Sequence, residues 1–193
     1  VSVTSTGIGG PSTAIAVEEL AQIGADTFIR VGTSGLMQPE YMRPGDLVVI
    51  TAAVRDEGTG REYMPLAFPA LADLDVVACL RQGCRDRNVR HHIGISHTQD
   101  SFFAGMRTGE MPLAAKLQAE QRAWEAGGVL CWEMEAAALY VVSRVLGTRA
   151  GGIVLALSDE SLSLENLCQT AVAGLRRLIE QDRRSESDAR EPA

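Results

Sequence analysis

An arginine, two hydroxyls and two glycines fall within six consecutive residues, Arg30-Val31-Gly32-Thr33-Ser34-Gly35. The guanidinium supplies forked N–H donors that suit phosphate and carboxylate oxygens. The glycines let backbone approach a ligand closely. The segment follows the apolar run Thr27-Phe28-Ile29. It therefore reads as a strand end opening into a loop, the position at which α/β proteins bind small anions and sugars. Upstream, Thr6-Gly7-Ile8-Gly9-Gly10-Pro11-Ser12 reads as a turn that opens a helix. Backbone N–H groups and the helix dipole favour an anion there. It is not a dinucleotide fingerprint, because Ser12 stands in the place of the last glycine, and it is not a P-loop, because no lysine follows. A plain tight turn accounts for the same residues. Together the two segments argue for a phosphate or nucleoside site.

Two acids sharpen that reading. Glu135, in Glu133-Met134-Glu135, heads the apolar ridge Ala138, Leu139, Val142, Leu146. A carboxylate on such a ridge is costly unless hydrogen-bonded. It is either a capping acid at a helix start or a group that accepts hydrogen bonds from the vicinal hydroxyls of a sugar. Asp159 follows the buried strand Ile153-Val154-Leu155-Ala156-Leu157. It is either a catalytic acid at a strand's carboxyl end or the N-cap of the next helix. Arg30, with Phe28, Ile29 and Val31 beside it, needs an anionic partner, either a structural acid or a ligand. Phe102 and Phe103 either stack on a base or simply pack. His91, His92 and His97 show no metal-ligand spacing, so no metal is expected.

The elements that must position these groups alternate in type. Strands are predicted over residues 1–6, 26–31, 45–54, 91–98, 129–132 and 151–157. Helices are predicted over 11–23, 71–88, 112–126, from Met134 onward, and over 164–181. Pro11 suits the first turn of its helix and Gly24 its end. Residues 56–70 and 99–111 read as loops. From Asp182 the chain is polar with no apolar face, so 182–193 reads as a disordered tail. Strands alternating with helices imply an α/β domain over 1–181, its sheet at least partly parallel with helices on its faces.

Bulk composition narrows the partners. The 193 residues carry a net charge of −7 and are 46% hydrophobic. That balance excludes a nucleic-acid surface, which needs clustered Lys and Arg. No apolar run reaches membrane-spanning length. Cys79, Cys84, Cys131 and Cys168 form no CxxC pair and read as buried thiols in a reducing compartment. The chain opens at Val1 inside a strand-like run, so an N-terminal piece is expected to be missing.

In this order, Ser5-Thr-Gly-Ile-Gly-Gly-Pro-Ser-Thr13, Ala16-Val-Glu-Glu-Leu20, Arg30-Val-Gly-Thr-Ser-Gly35, Pro44-Gly-Asp46, Asp100-Ser-Phe102 and Glu133-Met-Glu135 resemble the nucleoside phosphorylases of the uridine phosphorylase and hexameric purine nucleoside phosphorylase type. The likeness is nearest to the uridine enzymes and runs from Val1 to about Gln181. It implies a three-layer α/β/α sandwich around a mixed, partly barrel-like sheet. It implies phosphorolysis of a nucleoside N-glycosidic bond to free base and ribose 1-phosphate, with inorganic phosphate as co-substrate and no cofactor. It implies a cytoplasmic homo-oligomer built from dimers, up to a hexamer. By the same resemblance, Arg30 and Thr33 hold phosphate, and Thr33, Met134 and Glu135 hold ribose. Ser34, Gly35, Phe102 and Glu133 line the base pocket, and Arg30 and Asp159 are catalytic.

The chain departs from the pattern in its base loop. Met106 and Thr108 occupy the places of a uracil-reading Gln and Arg, with Arg107 one step out of register. Ser158-Asp159 resembles the Ser-Asp of the purine enzymes. The family's first glycine-rich segment and its phosphate arginines lie upstream of Val1, so this chain alone is expected to be weakly active or inactive. Uridine is the expected substrate. A purine nucleoside phosphorylase, a hydrolytic nucleosidase and an inactive nucleoside-binding relic are the alternatives.

Overall fold

The computed structural model describes residues 1–157 and 163–188. Helix α1 (Gly10–Gln22) carries proline in its first turn, and Gly24 follows it at φ 96°. Strand β1 (Thr27–Leu36) leads to β2 (Leu47–Asp56), a short helix α2 (Thr59–Tyr63) and the two-residue strand β3 (Ala70–Leu71). Helix α3 (Leu74–Asp86) is capped by Asp73, whose carboxylate accepts from the N–H groups of Asp75 and Val76. Then come β4 (His91–Gln99), α4 (Phe102–Met106), a 3-10 turn (Thr108–Glu110), α5 (Ala114–Ala126), β5 (Cys131–Glu133), α6 (Ala136–Val145), β6 (Arg149–Leu157) and α7 (Glu165–Asp188).

The sheet is mixed and nearly closed. β2 runs parallel to β4, β4 parallel to β5, β5 antiparallel to β1, and β1 parallel to β6. The start of β2 then pairs antiparallel with β6, Leu47 opposite Leu155 and Ile50 opposite Gly152. That pairing joins the strands into a ring, with β3 hanging from the far half of β2. Alternation along β2 sends Val48 and Ile50 to one core and Leu47 and Val49 to the other. The first core lies under α1 and α6 and includes Tyr140 and Leu139; the second lies under α3 and α7 and includes Leu80 and Leu167. This is the helix–sheet–helix layering that the resemblance implies. Helix α6 is buried from Ala136 through Ser143, as expected of a helix that is apolar all round.

Several elements differ from expectation. Residues 1–6 form no strand: Val1 and Val3 are 92% and 97% exposed, and alternation without a ladder partner is not a strand. β1 does not stop at residue 31. Ser34 and Gly35 pair with Ala156 and Leu157 of β6, and Gly35 also pairs with Trp132 of β5, so Arg30–Gly35 is strand rather than loop. The 56–70 loop contains α2 and β3. In 99–111, Ser101 caps α4 by accepting from the Ala104 N–H. The last helix continues through residues 182–188, past the boundary of the expected tail, because Arg149 donates twice to the Asp182 carboxylate, at 2.9 and 2.7 Å. Cys79, Cys84 and Cys131 are buried as expected, but Cys168 lies on the exposed side of α7.

Candidate active site

Three elements converge on Arg30. Its side chain leaves β1 on the face that packs toward α6 and lies flat along the strand. A Cβ added at Gly32 would sit 2.5 Å from Nη1, so glycine at 32 is what lets the guanidinium lie there. Nε is 3.2 Å from an oxygen of Glu133 and 3.2 Å from Oε2 of Glu135. Nη2 donates to the same Oε2. Burial pulls the guanidinium's pKa down, but Glu133 and Glu135 more than offset this and hold it above its ordinary value. Nη1 is buried and has no hydrogen-bond partner among the described residues.

The two acids divide their work in a way the sequence does not reveal. Glu133 ends β5 and its side chain is fully buried. Its Oε2 accepts from the N–H groups of Glu135 and Ala136 at 2.9 and 2.8 Å, so Glu133 is the acid that satisfies the first turn of α6. Its Oε1 accepts from Thr98 and, at 3.3 Å, from Ser96, both on β4. Thr98 in turn accepts from the Ala137 N–H at 3.0 Å. Glu133 thus lies beneath the Arg30–Glu135 pair with both its oxygens held by protein donors. Glu135 turns away from its helix. Its Oε1 accepts from the Gly9 N–H at 2.7 Å, and its Oε2 from Arg30 and, at 3.3 Å, from the Met134 N–H. Gly9 has φ 87°, a left-handed conformation in which glycine aims its N–H at the carboxylate without strain. The cluster's charge is felt nearby: burial, then Glu133, pushes the Cys131 thiol up to about 12.

Gly35 and Phe102 belong to a second group, gathered around Trp132. Trp132 stands opposite Gly35, and a Cβ at Gly35 would lie 2.0 Å from the indole Nε1. The ring of half-exposed Phe102 is 5.7 Å from Trp132, and Phe103 meets Phe102 edge-on at 5.4 Å. Ser34 is buried and donates to the Leu155 carbonyl at 3.4 Å. Thr33 is exposed, and alternation along β1 puts it on the face opposite Arg30. Met134 is partly buried beside Glu135. Asp159 lies outside the described residues. Met106 is 51% exposed on α4, and Arg107 stacks over the Phe103 ring.

Trp132, Gln99 and Asp56 were not singled out by the sequence, and His97 only as a histidine without metal spacing, yet they line a cavity of about 240 Å³ beside α4 and α5. The only hint was an aromatic residue directly before Glu133. A larger groove of about 470 Å³, over β2 and β3, includes none of the Arg30 cluster. No group of three or more His, Cys, Asp and Glu among the described residues is arranged to hold a metal.

A ring-closed mixed sheet between helical layers, with a strand arginine held against a helix-start carboxylate and a glycine turn, defines a three-layer α/β protein with a charged cluster between sheet and helix. The chain belongs to the phosphorylase superfamily, whose model matches residues 1–181. It is 44% identical over 193 residues to a uridine phosphorylase of Treponema pallidum, covering 94% of this chain and 74% of that protein. It is 48% identical over 155 residues to one of Thermococcus kodakarensis, covering 78% and 55%. It is 37% identical over 191 residues to one of Escherichia coli, covering 95% and 75%.

Proposed function

We propose that the protein is a pentosyltransferase that cleaves a nucleoside with inorganic phosphate, uridine being the first candidate. The C1′–N bond breaks with its electron pair leaving on the base, a proton is taken up by the base, and a phosphate oxygen bonds C1′ to give ribose 1-phosphate. The observation that carries this reading is that Arg30 meets Glu135, itself joined to the Gly9 N–H, through Nε and Nη2, while Nη1 keeps no partner among the described residues. A buried donor of that kind is costly unless an acceptor arrives. Phosphate is a fitting acceptor. As Arg30 turns its fork to phosphate, Glu135 is released to the ribose hydroxyls.

One guanidinium between two carboxylates leaves the cluster with an excess of negative charge. That sign favours a sugar ring that gains positive charge as the bond to the base stretches. Holding ribose and phosphate in line supplies orientation. In this reading Arg30 binds phosphate, Met134 and Glu135 bind ribose, and Gly35 and Phe102 border the base; Thr33, on the other face of β1, stands apart from that cluster. Ser34 and Glu133 act on the base through the strands they stiffen, and Asp159 is a catalytic acid. No cofactor is needed. Four free thiols fit a cytoplasmic setting. The groove that includes half-exposed Leu66 and Leu71 fits a dimer-based homo-oligomer.

The test is base release from uridine, inosine and adenosine with and without phosphate. Ribose 1-phosphate is the expected product; Arg30→Ala should abolish it and Glu135→Gln should slow its formation on the order of 100-fold. Phosphate-independent release of free ribose makes the protein a hydrolytic nucleosidase instead. Nucleoside binding without turnover marks a relic, and neither binding nor turnover removes the proposal.

A further inference from the structure

The cavity beside α4 contains a side-chain amide that no part of the preceding reading uses. Gln99 is the last residue of β4, one step from Thr98, which holds Glu133. Its Nε2 donates to the Ser101 carbonyl at 3.3 Å. That bond fixes the amide's orientation, since the flipped rotamer would set Oε1 against a carbonyl oxygen. Oε1 and the second N–H are left for the cavity. Trp132 lines the same cavity, and its ring touches both Gly35 and Phe102, the residues expected to border a base. The amide and the aromatic wall therefore share one space, continuous with the second cluster.

Gly105 shows how specific this placement is. A Cβ at Gly105 would lie 1.7 Å from Gln99 Nε2 and 2.6 Å from its amide carbon. The amide rests on the bare backbone of α4. Gly105 lies within α4 and is not among the glycines with positive φ, so conformation alone does not require glycine there.

We propose that Gln99 reads the base in place of the side chains missing from positions 106 and 108. An amide held this way donates one N–H to a ring carbonyl and accepts from the adjacent ring N–H. That pattern fits the –CO–NH– edge of an oxo base such as uracil or guanine. It meets an amino base such as cytosine or adenine with donor facing donor and acceptor facing acceptor. The inference rests on the proposed nucleoside reading but makes its own claim, which is selectivity for oxo over amino bases set by Gln99 and Gly105.

Binding of free uracil and cytosine, followed by Trp132 emission in a Trp124→Phe background, tests it without requiring turnover. Uracil is expected to quench and cytosine to bind on the order of 10- to 100-fold more weakly. Gln99→Leu and Gly105→Ala should both erase that preference, and Gly105→Ala should leave the thermal midpoint near that of the parent, the helix preference of alanine offsetting the displaced amide. If the protein phosphorolyses uridine but both variants keep the parent's oxo-to-amino ratio, Gln99 does not read the base. If uracil leaves Trp132 emission unchanged, the cavity is not the base site. If no phosphorolysis occurs yet Gln99-dependent uracil binding is present, the catalytic reading fails and this inference stands.

Discussion

Glu133 and Glu135 are two residues apart and chemically identical, yet their surroundings give them separate tasks. Glu133 has no exposed side-chain surface and is held by Arg30, two β4 hydroxyls and two backbone N–H groups. Removing it leaves Arg30 with one partner and the first turn of α6 without its acceptor. Glu133→Ala should cost about 3–5 kcal/mol, lowering the thermal midpoint by roughly 6–20 °C for a chain of this size. Glu135 meets the glycine turn and the guanidinium and, unlike Glu133, keeps a little exposed surface. Glu135→Gln keeps an oxygen for the Gly9 N–H but turns an NH2 toward Arg30, so its stability loss should be about 1–3 kcal/mol, smaller than that of Glu133→Ala. Its kcat/KM should fall on the order of 100-fold through the lost charge. Thermal melts beside steady-state kinetics separate the two. Equal destabilisation by both changes would mean that Glu135 is a structural acid, the cap that its sequence position first suggests.

At the level of elements, close contacts replace the rules that local sequence follows. Glycine within a helix ordinarily costs about 1 kcal/mol relative to alanine, so Gly83 in α3 and Gly174 in α7 look like weaknesses. The structure reverses that. A Cβ at Gly83 would lie 2.6 Å from the Gly174 backbone nitrogen and 2.9 Å from the Thr170 carbonyl, and a Cβ at Gly174 would lie 2.9 Å from Leu80 Cα. The two helices cross backbone to backbone. Gly83→Ala should therefore destabilise by about 1–3 kcal/mol through overpacking, despite the better helix former, and urea unfolding reads the sign directly. A stabilised variant would show that the crossing has room. The same effect explains why β1 was only half legible. Its apolar start, Thr27-Phe28-Ile29, reads as strand, while Gly32, Ser34 and Gly35 read as loop. Those small residues are in the strand because Arg30 lies over Gly32 and Trp132 over Gly35, contacts made by side chains that local sequence does not display. Strands β2 and β6 were legible because most of both their faces is buried, which writes a continuous apolar run. Which acid caps α6 was not legible, because that depends on Thr98 and Ser96, donors some 35 residues away.

Across the whole molecule, carboxylates tie distant segments together and set how stability responds to acid. Asp46 is buried at the turn before β2 and accepts from the Arg43 N–H and Arg90 Nε, each at 2.9 Å, with His92 Nε2 at 2.8 Å. It fastens that turn to the start of β4. Burial alone would raise its pKa, but His92, the Arg43 N–H and Arg90 together hold it below its ordinary value of 3.8. Asp56 beside His97 and Asp182 beside Arg149 are lowered too. A folded-state pKa below the unfolded value means that the unfolded chain binds the proton first. The stabilisation is then fully present above about pH 5 and is lost as pH falls past 3.8 through the folded values. The urea midpoint should accordingly hold level near neutrality with respect to these groups and drop below about pH 4. Asp46→Asn should lower stability by about 1–3 kcal/mol at pH 7. The gap from the parent should then close as acid protonates Asp46 in the parent, so the two curves converge at the low end. Curves that stay parallel down to the acid transition would show that Asp46 is already neutral in the folded state, and that the turn before β2 is held by packing rather than by charge.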